Sequence, residues 1–238
     1  MSAFAGHPLL AGFGGAFEFI FHRQSSNVTE HKVGGLHQVL ELALTQIEVS
    51  IVALAIATIV AVPIGLYFGH KGVGEGLAVA LGNASRAVPE LAAIALIAAV
   101  VGVGFETLAI VLAVLGIPPI LTNTFTGIRQ VDRPTVEAAR GIGMTEFEVL
   151  RKVEVPMAVA GLMGGIRTSS INIIATATIA PLAGVVTLGA FIIDEGVYGA
   201  NGALAGSIVV VIIALVFEFA LAGLQRQLTS KGLRLQVQ

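Results

Sequence analysis

Across residues 46–68 the chain carries a single Asp, Glu, Lys or Arg, namely Glu48. A stretch of about 20 apolar residues matches the roughly 30 Å hydrocarbon core of a bilayer. Comparable runs cover about 76–101, 105–125, 157–180 and 203–224, with Pro63, Pro89 and Pro118-Pro119 inside the first three. Only 12% of the 238 residues are charged and 55% are hydrophobic, whereas soluble domains carry about 25% charged residues. The pattern predicts an all-α polytopic membrane protein with about five core transmembrane helices. The 29 glycines suit close helix–helix approach in lipid. A net charge of −2 gives no reason to expect a nucleic-acid partner, and the absence of cysteine excludes disulfides and thiolate metal sites.

Residues 1–45 form an N-terminal segment. Phe4 to Phe21 is apolar but interrupted by His7, Pro8 and Glu18, so it reads as an interfacial segment or as an extra span. No basic region precedes it, which argues against a signal peptide. Gln24 to Gly35 is polar and reads as aqueous. Lys and Arg placement sets orientation. Lys71, the charged stretch 132–156 and the tail 226–238 (Arg226, Lys231, Arg234) share one side, while the loops at 102–104 and 181–202 contain neither residue. This places the charged stretch and the C-terminus in the cytoplasm; only Arg23 and Lys32 oppose the trend.

The stretch Asp132–Pro156 is a polar island. Asp132 can N-cap a helix with Pro134 in its first turn, stopping near Gly141 as a C-terminal glycine. Thr145 followed by Glu148 is a capping-box pattern for a second short helix that ends before Pro156. The expected product is a helical hairpin bent at Gly141 and Gly143, with the small Ala138 and Ala139 letting another surface approach. A merely solvated, charged loop is the competing reading.

Glu137-Ala138-Ala139, three residues, Gly143, nine residues, then Val153-x-Val155-Pro156 resembles the EAA loop of bacterial ABC-importer permease subunits. The resemblance covers about residues 40–225. Val62-Pro63-Ile64-Gly65, Asn123 to Ile128, Gly165-Ile166-Arg167-Thr168 and Asn172 to Ala180 look like the branch that imports osmoprotectants such as glycine betaine, choline or carnitine. The resemblance implies the type I ABC-importer permease architecture. It also implies that Glu137, Ala138, Ala139 and Gly143 contact an ATP-binding subunit. Further implied partners are a second permease subunit, identical or paralogous, and an extracytoplasmic substrate-binding protein. The chain has no G-x-x-x-x-G-K-S/T phosphate loop. It is therefore expected to bind no cofactor and not to be an enzyme, with ATP and Mg held by the partner.

Ionisable residues inside spans are candidates for function. Arg86 and Glu90 flank Pro89 at helical spacing, and Asn172 and Thr176 share a helix face; these four are the candidate pathway or gate residues. Osmoprotectant permeases usually read Gln-Thr-x-Pro-Ser where this chain has Arg86 to Glu90. They often carry Gly-Ala-Gly-Gly-Leu-Gly where it has Gly184 to Gly189. Arg167 is expected to snorkel or to pair inside the bundle, and Glu48, Glu106 and Glu218 to be wetted near span ends. Quaternary ammonium groups favour aromatic cages. With no Trp and only Tyr67 and Tyr198, specificity is expected to rest on the binding protein. An ATP-independent channel or secondary transporter, using Arg86, Glu90 and Arg167, is the alternative. The scattered histidines and acids match no metal spacing, and no Ser–His–Asp order stands out.

Overall fold

A computed structural model describes residues 8–26, 28, 31–76, 78, 80, 82–83 and 88–229. Helix α1 spans Pro8–Phe21. A two-stranded antiparallel hairpin follows, β1 (Arg23–Ser25) with β2 (Lys32–Gly34), a small addition to the all-helical expectation. Helix α2 (Leu36–Lys71) is long and apolar, as are α4 (Phe105–Arg129) and α9 (Glu195–Leu228). Between α2 and α4 lies α3 (Glu90–Val101). The polar island holds α5 (Arg133–Gly141) and α6 (Glu146–Val149). A π-turn at Leu150–Glu154 joins α6 to α7 (Val155–Thr176), which runs into a 3₁₀ segment at Ala177–Ala183 and then α8 (Gly189–Ile193). Among the described residues, four helical stretches are long and apolar enough to cross a membrane: Leu36–Lys71, Phe105–Arg129, Glu146–Ala183 and Glu195–Leu228.

Helix boundaries extend past the apolar runs for local reasons. Helix α2 begins at Leu36 rather than near Gln46, because Val39, Leu42 and Ala43 bury one face of an amphipathic first third. In the expected span 76–101, residues 77, 79, 81 and 84–87 lie outside the described residues, and helical structure resumes after Pro89. Pro89 is extended (φ −64°, ψ 120°) and its carbonyl accepts from Ala93 N–H. At about 18 Å, α3 alone is shorter than the hydrocarbon core. Helix α9 starts at Glu195, capped by Asp194, and is kinked at Gly199 (φ +68°), so it begins inside the stretch expected to be a loop. Helix α1, about 21 Å long, packs Phe19 edge-on against Phe191 of α8 (5.2 Å) and leaves Phe13, Phe17 and Phe21 exposed on its other face.

The core is built on close approach. Ala53, Ala57, Ala61, Gly65 and Gly69 recur every fourth residue on α2 and are all buried. A Cβ on Gly65 would meet Thr124 Cβ of α4 at 2.7 Å, and one on Gly69 would meet Ile128 Cβ at 2.8 Å. Helices α4 and α7 cross in the same way: a Cβ on Gly161 would lie 2.9 Å from Gly127 Cα. In lipid, where burial of apolar surface does little to drive association, such contacts supply dispersion energy between backbones. Replacing Gly161 by alanine gains up to about 1 kcal/mol of helix propensity but overpacks the crossing by about 1–3 kcal/mol. A net loss of about 1 kcal/mol is expected in detergent unfolding, whereas Gly164→Ala, where nothing lies within 4 Å, should be neutral or stabilising. The outward faces, such as Val211, Ile212, Leu215, Val216 and Phe219 of α9, remain large, apolar and exposed.

Candidate functional sites: a helical hairpin and a polar pocket

The hairpin forms through local hydrogen bonds. Asp132 Oδ2 accepts from the Thr135 N–H (3.1 Å) and hydroxyl (2.8 Å), capping α5. Thr145 and Glu148 form a reciprocal box: Glu148 N–H donates to Thr145 Oγ1 (3.3 Å) and Thr145 N–H to Glu148 Oε2 (3.1 Å). Both caps match the expectation. The turn between them differs in one respect. Gly141 remains helical and Gly143 takes the left-handed conformation (φ +92°), with its N–H on Arg140 O and Met144 N–H on Ala139 O. This pairing is a Schellman motif, and it explains why the glycine stands four residues after Ala139.

The second half departs further. The helix expected to end before Pro156 continues through it into α7. Proline lacks an N–H and its ring crowds the carbonyl four residues back. The π-turn at Leu150–Glu154, closed by Val155 N–H to Leu150 O, absorbs this without a break. The second half of the hairpin is thus the first part of a helical stretch from Glu146 to Ala183. At about 57 Å this is nearly twice the hydrocarbon thickness, so part of it must lie beyond the hydrocarbon core.

Of the expected contact residues, Glu137, Ala138 and Gly143 are exposed, whereas Ala139 is buried in a cluster with Ile128, Val131, Val136, Val149 and Ala158. Ala139 faces its own chain and anchors α5 instead of offering a docking surface. The tip adds two residues the sequence reading passed over, Ile142 (77% exposed) and Phe147 (68% exposed). Charges brace the hairpin. Arg140 Nε and Nη2 each donate to a Glu146 oxygen at 3.0 Å, raising the Arg140 pKa and holding the Glu146 carboxyl below its ordinary value. Lys152, then Thr145, hold Glu148 down at about 2. These carboxylates are charged at neutral pH. Their contribution to hairpin stability is present above the ordinary carboxylate pKa and is lost only as pH falls through the depressed values.

Glu154 is not a solvated charge of the island but is 3% exposed, with its Oε2 2.6 Å from Nδ1 of His70. His70 lies at the end of α2 and its Nε2 is 3.0 Å from Glu146 Oε2. No spacing pattern in the sequence signals this contact.

The second site is a cavity of about 170 Å³ between α3, α4 and α7, whose polar lining is Glu90, Thr122, Asn123, Thr168, Asn172 and Thr176. Thr176 Oγ1 donates to Glu90 Oε2 at 2.6 Å, joining α7 to α3. Glu90, Asn172 and Thr176 therefore line one cavity, while Arg86 lies outside the described residues. The cavity is smaller than the roughly 300–1,000 Å³ of ligand pockets, and among the described residues no aromatic ring lines it. Arg167 does pair inside the bundle: its Nε donates to Glu218 Oε1 of α9 (3.0 Å) and its Nη1 to Gln225 Oε1 (2.9 Å). Glu218, expected to be wetted, is the partner.

Residues 61–231 match the family described as binding-protein-dependent transport system inner membrane component. The chain belongs to this family. Among curated relatives, this permease is 36% identical over 187 residues to the glycine betaine/carnitine/choline transport system permease protein OpuCB of Bacillus subtilis, covering 78% of this chain and 86% of that one. It is also 36% identical to the carnitine transport permease protein OpuCB of Listeria monocytogenes, covering 83% and 91%. The osmoprotectant import permease protein OsmW of Salmonella typhimurium is 34% identical, covering 76% and 87%. The permease superposes on a chain of the inward-facing MetNI methionine ABC transporter with a TM-score of 0.70 at 21% identity, over 82% of this chain and 98% of that one. An amino acid ABC transporter crystallised with histidines gives 0.63 at 20% identity, over 79% and 93%. At these identities the likeness speaks for the fold, which is the type I ABC-importer permease architecture.

Proposed function

We propose that this permease forms the translocation pathway of an ATP-driven importer for an osmoprotectant such as glycine betaine, choline or carnitine. The observation that carries the coupling part is the hairpin. It is pre-formed by two helix caps, presents Glu137, Ala138, Ile142, Gly143 and Phe147 outward, and is continuous with a spanning helix. A separate ATP-binding subunit, holding ATP and Mg, seats on it from the cytoplasm; the Lys and Arg distribution supports that orientation. A second permease subunit, identical or paralogous, completes the pathway across the inner membrane, and an extracytoplasmic binding protein delivers the solute. The substrate class follows the named relatives. The pocket suits brief passage rather than tight capture: hydroxyl and amide groups surround one carboxylate, Glu90, without an aromatic cage.

The test is uptake of labelled solute into proteoliposomes holding the permease, its ATPase subunit and the binding protein. Uptake that requires ATP hydrolysis supports the reading; solute conductance by the permease alone, without ATP, overturns it. Within that system Glu90→Gln removes the carboxylate facing the pocket. A cation about 6 Å away in a partly wetted cavity loses about 1–2 kcal/mol. Choline uptake should therefore fall about tenfold more than that of zwitterionic glycine betaine, as read from kcat/KM for each solute.

A further inference from the structure

The hairpin is tied to the bundle in two ways. Its apolar side is shared mainly with α4 and α7, and α2 adds the partly buried Leu66. The other tie to α2 is polar and passes through His70. This side chain lies in the last turn of α2, just before a left-handed Gly72 (φ +68°) ends the helix, and is only 6% exposed. Its two ring nitrogens face two different parts of the hairpin: Nδ1 is 2.6 Å from Glu154 of the π-turn, and Nε2 is 3.0 Å from Glu146 of α6. Glu146 is in turn gripped by Arg140 of α5. One imidazole thus connects α2 to every helical piece of the hairpin.

The chemistry of these contacts fixes a proton count. A carboxylate oxygen accepts and cannot donate, while a neutral imidazole donates from one nitrogen and accepts at the other. Both contacts are satisfied only when the ring and its two carboxylates share one proton more than a neutral ring supplies. Without it, either the buried Glu154 or Glu146 faces a lone pair. The other charged groups around this cluster are Lys71, on the same helix as His70 and acting on Glu146, Arg140 of α5, acting on Glu146 and Glu154, and Arg129 of α4, whose guanidinium lies over Gly72.

We propose that His70 is a positioning residue that locks the hairpin to α2 through a shared proton. A push on the hairpin then moves the α2–α4 pair as well as α7. This rests on the reading of the hairpin as the coupling element. The experiment uses the whole importer in proteoliposomes and measures solute carried per ATP hydrolysed. His70→Gln, whose single amide nitrogen replaces two ring nitrogens, should retain ATP hydrolysis but lower the ratio about tenfold, the size of one charge-assisted hydrogen bond. An unchanged ratio in His70→Gln would overturn the lock. If the variant fails to assemble, ¹⁵N-histidine NMR of the unsubstituted complex decides: hydrogen bonds at both His70 ring nitrogens support the lock, and a ring nitrogen without one refutes it. Absence of ATP-driven uptake in the unsubstituted complex would instead refute the coupling reading itself.

Discussion

Gly143→Val is expected to leave the permease in the membrane but to cut ATP-dependent uptake by about 5–30-fold. Gly143 sits at φ +92° with nothing within 4 Å of where a Cβ would stand, so the penalty is purely one of backbone conformation. A left-handed residue with a side chain costs about 1–2 kcal/mol, more for a β-branched one. That lowers the ratio of formed to unformed Schellman turn by about 5–30-fold. The loss falls on the tip that presents Ile142 and Phe147, whereas the buried anchor of Val136, Ala139 and Val149 is untouched. Gly141→Ala is the control. Gly141 is helical and equally open, so alanine should add about 0.5–1 kcal/mol of helix stability and leave uptake intact. Equal damage from both variants would show that the turn geometry is not what matters.

The second large effect is expected at Arg167. Its guanidinium joins α7 to Glu218 and Gln225 of α9, and Glu218 Oε2 is already buried without a hydrogen bond. Arg167→Leu leaves the carboxylate alone inside the bundle, at an expected cost of about 3 kcal/mol. Adding Glu218→Leu should recover most of it, because an uncompensated charge is worse than no charge. Unfolding of both variants in mixed micelles measures the difference. A double variant as unstable as Arg167→Leu alone would mean that the pair contributes packing and not charge balance.

What the sequence made legible follows the range of the interactions. Caps act over three residues, so Asp132 to Thr135 and Thr145 to Glu148 could be read from residue types alone. The choice between Gly141 and Gly143 could not, since each fits a helix end and only the hydrogen bond from Met144 to Ala139 decides. Pro156 misled for a physical reason: a proline stops a helix unless a wider turn precedes it. The His70–Glu154 and Arg167–Glu218 contacts join residues 84 and 51 positions apart, and no local period encodes them. The stripe from Ala53 to Gly69 was present in the spacing, but composition alone suggested only that helices would pack closely. Glu90, Asn172 and Thr176 were named from polarity within apolar runs and do share a cavity.

The unbroken passage from the hairpin into α7 has a mechanical consequence. With no flexible loop at Pro156, a tilt imposed on Glu146–Val149 is not dissipated before it reaches the pocket. From Val155 to Thr176 the helix is about 33 Å long, so 10° of tilt about the π-turn displaces Thr176 by about 6 Å. That exceeds the 2.6 Å separating Thr176 from Glu90. In the proposed coupling the helix acts as a lever that pivots at the π-turn, and a modest stroke at the short arm is enough to part the residues at the end of the long one.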